Sequence, residues 1–182
     1  MPPVITPRTA RILSERALYG HIDPEVVDWA VALLDEDFDS PSVRQLAALL
    51  APLNPFEVAE LRDRVLVELG LENIGRDQAV LLQVQAILAK AVLGDGRSVS
   101  DAYAEVDSLY MRSGYMIELA DLSQVHWARL ELDDGPDQWS WDGAHRENID
   151  QIMREEASRF LQEFAETFDS NRSGEFFRGA EG

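Results

Sequence analysis

Four helix-capping side chains stand directly before prolines near the start of this chain, at Thr6-Pro7, Asp23-Pro24, Ser40-Pro41 and Asn54-Pro55. A capping oxygen accepts a hydrogen bond from an amide that has no partner inside its helix, and proline at the first helical position gives up an amide that had no partner anyway. Each pair therefore reads as a helix start. The prolines lie 17, 17 and 14 residues apart, room for one short helix and a tight loop each time. Such spacing predicts consecutive antiparallel helices.

Hydrophobic periodicity fills in the rest. The first helix is expected from Pro7 to Tyr19, stopping at Gly20, with Ile12, Leu13 and Leu18 inward. The second, Pro24 to Asp35, sets Val26, Val27, Ala30, Leu33 and Leu34 on one face, with Trp29 at its border. The third begins at Pro41 and turns Val43, Leu46, Ala47 and Leu50 inward before Pro52. In the fourth, Glu57 is placed to reach back to the Asn54 amide, and Val58, Leu61, Val65 and Leu69 lead to Gly70. A fifth helix, Asp77 to Leu93, is the most apolar, through Val80, Leu81, Val84, Ile87, Leu88, Ala91 and Val92, and is expected to be central. Gly94-Asp95-Gly96 ends it, and Ser98 with Asp101 reads as a capping box opening a sixth helix through Tyr103, Val106 and Tyr110.

From Tyr115 to Leu132 the pattern fits either an alternating strand or a helix with Leu122, Val125 and Arg129 on one side. Helix is the reading taken, because a lone strand has nothing to pair with. Trp127 is assigned to the core. The last helix, Ala144 to Thr167, carries Ile149, Ile152, Met153, Phe160, Leu161, Phe164 and Phe168 on one stripe. The fold class expected is all-α: about seven helices stacked as antiparallel hairpins, a bundle or short solenoid, closed by a long C-terminal helix. At 182 residues and 46% hydrophobic content, residues 1–170 fit a single domain, with 171–182 a mobile tail.

Composition narrows function by exclusion. The 34 acidic residues against 16 basic ones give a net charge of −18, and Lys90 is the sole lysine. Such a surface repels phosphate backbones and anionic bilayers, so direct nucleic-acid and membrane binding are not expected. It suits steering a basic protein into contact. With no cysteine there is no disulfide, thiolate site or cysteine nucleophile. Residues 1–11 hold no apolar core of signal-peptide length, and the expected location is the cytoplasm.

The stretch from Asp39 through Val43, Arg44 and Ala47 to Leu50 resembles the inner part of a HEAT-type helical repeat. The resemblance covers about one repeat. It implies a helical hairpin serving as a protein-binding scaffold, with Arg44 tying the turn and Ala47 allowing close helix packing. Together with the region from Asp134 to Arg146, the stretch is also similar to a loose group of uncharacterised bacterial acidic helical proteins.

Candidate sites are few. Asp35 to Asp39 has carboxylates at alternate positions like the start of a calcium loop, but Ser40 and Leu46 stand where an EF-hand needs glycine and glutamate. An inter-helix turn is expected instead, with Asp39 or Ser40 as the cap and Phe38 in the core. A metal-dependent enzyme would need two or three of His21, His126 and His145 to converge with carboxylates such as Asp121, Asp142 or Glu147, and none of the histidines sit at the spacing of a helical zinc motif. No nucleophile elbow, phosphate loop or dinucleotide fingerprint is present, so no catalytic residue or cofactor is assigned. The segment from Glu131 to Asp142 holds five acids, no base and two tryptophans, the composition of a protein-binding hot spot. Asp133, Asp134, Asp137, Trp139, Trp141 and Asp142 are the candidate partner-binding residues, unless the tryptophans simply pin the loop onto the bundle. The leading expectation is a non-enzymatic interaction protein of inhibitor or immunity type, binding a basic partner such as a nuclease-like toxin. A carboxylate and histidine metal enzyme and a self-associating structural scaffold are the alternatives.

Overall fold

The computed structural model describes residues 5–18, 25–93 and 98–178, with side chains in the last helix described through Phe164. Among these residues all regular structure is helical: α1 (Pro7–Leu18), α2 (Glu25–Asp35), α3 (Pro41–Ala47), α4 (Pro55–Glu68), α5 (Arg76–Leu93), α6 (Val99–Arg112), α7 (Ala120–Asp134) and α8 (Ile149–Arg178), with a 3-10 turn at Ile117–Leu119. The segment read as strand or helix is thus helical. The expected stops at Gly20 and at Gly94 to Gly96, the Asp23-Pro24 start and His21 lie outside the described residues, as do the last four residues of the expected tail.

The chain divides into two compact units, residues 1–83 and 84–182, the division falling within α5. In the first unit the three described cap-proline pairs act as their chemistry demands. The Thr6 hydroxyl accepts from the Thr9 amide at 3.2 Å, the Ser40 hydroxyl from the Val43 amide at 3.3 Å, and the Asn54 side-chain Oδ1 from the Phe56 amide at 3.0 Å. Packed neighbours follow chain order, α2 on α3 and α3 on α4, around Leu13, Trp29, Val43, Leu46 and Leu66. Trp29 lies inside the core rather than at its border, because its indole N–H donates to the buried Thr9 hydroxyl at 3.0 Å, leaving no polar group for water to recover. Leu50 is 85% exposed. Helix α3 ends at Ala47, so Leu50 never completes the stripe that spacing alone gave it. Phe38 is only half-buried.

Polar contacts fix the α3 start. Arg44 forks onto both carboxylate oxygens of Asp39, and its guanidinium holds that carboxyl below the ordinary range. Ser42 donates to Glu68 at 2.6 Å and Ser40 donates to the same carboxylate, joining the start of α3 to the end of α4. Burial alone would raise the Glu68 pKa, but these hydroxyls, the Ser42 amide and the Arg64 charge carry it below its usual value. Gly70, with φ of +69°, supplies the left-handed residue that ends α4.

In the second unit α6, α7 and α8 pack on one another, around Leu88, Tyr103, Leu109, Leu119, Ile149 and Met153. The Tyr103 hydroxyl donates to the Met153 carbonyl at 2.6 Å, and burial pushes its pKa up. Ser98 stands at the α6 N-cap without a side-chain cap bond, so the expected capping box does not form. Helix α8 begins at Ile149, not Ala144, because the Asn148 side chain is engaged upstream, accepting from the His145 amide at 2.8 Å.

Candidate functional site

The acidic segment grows from the end of α7. Its scaffold is Glu131, whose carboxylate accepts the Trp139 amide at 2.8 Å and the Ser140 hydroxyl at 3.0 Å. The Trp139 amide bond is the main reason this carboxyl sits below its ordinary pKa; burial opposes it and Ser140 adds to it. Gln138 works inside the loop: its amide NH2 donates to the Trp141 and Ala144 carbonyls and its oxygen accepts the Trp141 amide at 2.9 Å. Arg146 closes the far side. Its guanidinium donates to the carbonyls of Leu132 at 2.8 Å and Gly135 at 3.0 Å, neutralising the exposed C-terminal end of α7. Gly143 turns the chain at φ of +75°, and its carbonyl accepts from Asn148 at 3.0 Å. A loop rich in turn residues is thus held at both ends and in the middle.

What this frame presents is Trp139, 91% exposed. A tryptophan that pinned the loop would be covered, so Trp139 is not a pin. Trp141 is half-buried. Around them Asp133, Asp134, Asp137 and Asp142 all face solvent. Asp133 pairs with Arg129 at 3.1 Å, and Arg129 also pairs with Asp150 at the start of α8. Among the described residues no hydrogen bond or ion pair engages the carboxylates of Asp134, Asp137 or Asp142.

Two residues belong with this surface that spacing did not assign to it. Trp127, expected in the core, is 48% exposed, and Leu130 is 38% exposed. Helical geometry carried the signal. At about 100° per residue, Trp127 falls almost opposite Val125 and Leu132, which are buried.

The two described histidines, His126 and His145, do not join carboxylates in a group that could hold a metal. His126 is buried, and among the described residues its Nδ1 has no hydrogen-bond partner. Burial drives its pKa down and the nearby Asp107 charge works against that. His145 is exposed, its Nδ1 3.1 Å from the Gly143 carbonyl and its Nε2 3.8 Å from Glu147. Among the described residues, no three His, Asp or Glu side chains are grouped so as to hold a metal ion. Among the described residues no helix is long and apolar enough to cross a membrane. Comparison with family models, with curated proteins and with solved structures gave no match.

Proposed function

We propose that the chain is a non-enzymatic interaction domain of inhibitor or immunity type that offers the 131–142 loop to a basic partner protein. One observation carries the reading: Trp139 is almost wholly exposed although the backbone that bears it is bonded to Glu131. A large apolar ring held in water costs free energy that burial against a partner returns, and a fixed loop loses little entropy on binding. The carboxylates of Asp134, Asp137 and Asp142, unpaired among the described residues, select the sign of that partner, and the net charge of −18 steers it in. In this reading the helices stack as antiparallel hairpins, closed by α8, and the arrangement serves as a scaffold for the loop.

The test is a nuclease-treated native lysate passed over the immobilised protein at low and at high salt, beside a variant carrying Asp134→Asn, Asp137→Asn and Asp142→Asn. A basic protein held at low salt, released at high salt and lost by the variant is the expected result. Retention indifferent to both salt and charge removal overturns the reading.

A further inference from the structure

Resting on that reading, we infer that the partner contributes a basic amphipathic helix, laid along the exposed face of α7 and gripped by Trp127, Leu130 and Trp139. At about 100° per residue, Trp127, Leu130, Glu131 and Asp134 fall within an arc of about 100° on α7. Trp127 and Leu130 are exposed there by 48% and 38%, while Leu122, Val125 and Leu132 are buried on other sides of the same helix. The stripe does not end with α7. Because the Trp139 amide is bonded to Glu131 at 2.8 Å, the Trp139 loop is moored on this same face, one turn beyond Trp127. Trp127 and Leu130 thus share a face of α7 with Glu131, the residue that moors the Trp139 backbone.

The flanking charge chooses among occupants. Asp134 lies in the arc and Asp137 and Asp142 lie in the loop beyond it, with no hydrogen bond or ion pair to their carboxylates among the described residues. A neutral apolar segment would strip water from these carboxylates without replacing it. A second copy would bring a net charge of −18 against −18. A segment with apolar residues on one side and lysine or arginine along the edges meets both features. A helix suits the ridge of i, i+3 and i+4 side chains better than an extended strand, since no sheet edge exists among the described residues for a strand to extend.

Two synthetic lysine and leucine peptides of identical composition, each about five helical turns long, test this by titration calorimetry. One carries leucine on a single helical face and the other scatters it around the helix. Burial of Trp127 and Leu130 should make the single-faced peptide bind about tenfold or more tighter. Trp127→Ala and Leu130→Ala should erase most of that advantage, at every salt concentration, while leaving the helical circular dichroism unchanged. Equal binding of the two peptides, lost on neutralising Asp134, Asp137 and Asp142, overturns the helix and leaves the acidic-loop reading standing. No binding of either peptide overturns both. An advantage that survives Trp127→Ala and Leu130→Ala overturns the placement on α7.

Discussion

Glu131 is the residue on which the loop turns, since its carboxylate serves as acceptor for both Trp139 and Ser140. Because those bonds are made to the ionised form, its pKa is lowered, so the fastening is complete above the ordinary glutamate value of 4.5 and is lost as pH falls through the lower folded value. The Trp139 amide resonance should therefore titrate with a midpoint below 4.5, and Glu131→Gln should abolish that titration and speed amide exchange at Trp139. A midpoint at or above the ordinary value contradicts the bonding described. His126 behaves oppositely in charge but alike in sign. Its neutral form is the one burial favours, so the stability it confers is present above the unfolded value of 6.5 and fades as pH drops toward the lower folded value. Urea midpoints measured from about pH 7.5 to 5.5 should fall for the parent protein and flatten in His126→Gln, the window being set by the histidine range. Parallel slopes for both proteins would show that another group controls that range.

At the scale of elements, α3 makes the sharpest comparison. Leu46 and Leu50 share a spacing that puts both on one helical face, yet Leu46 is fully buried and Leu50 is 85% exposed, because the helix stops at Ala47. Leu46→Ala should cost about 2–5 kcal/mol in unfolding free energy, and Leu50→Ala no more than about 0.5 kcal/mol; equal costs would mean that the helix runs on. The helical class and three of the four cap-proline starts could be read from the chain because they depend on neighbours within a few residues, as at Thr6, Ser40 and Asn54. Contacts between distant residues are less legible. Nothing near Trp29 in sequence announces Thr9, and nothing near Leu132 announces the arginine fork from Arg146. The acidic tryptophan loop is visible in the composition, whereas the exposure of Trp127 is not, because the solvent-facing side of α7 is set by what packs against its other faces.

At the scale of the whole molecule, charge and the exposed ring make different demands, which the proposed basic partner would satisfy together. In the proposed reading a net charge of −18 draws a basic protein near, but long-range attraction gives no orientation. In that reading Trp139 supplies it, being the most exposed of the apolar groups beside these carboxylates. Phe56, which belongs to the first unit, is 87% exposed and provides a control of similar accessibility. The most direct measurement is photo-crosslinking in native lysate, with Trp139 replaced by p-benzoylphenylalanine in one protein and Phe56 replaced in another. A basic protein captured from position 139 at low salt, absent at high salt and absent from position 56, is the result expected. Capture of the same proteins from both positions, or of nothing but a second copy of this chain from position 139, would contradict the central claim.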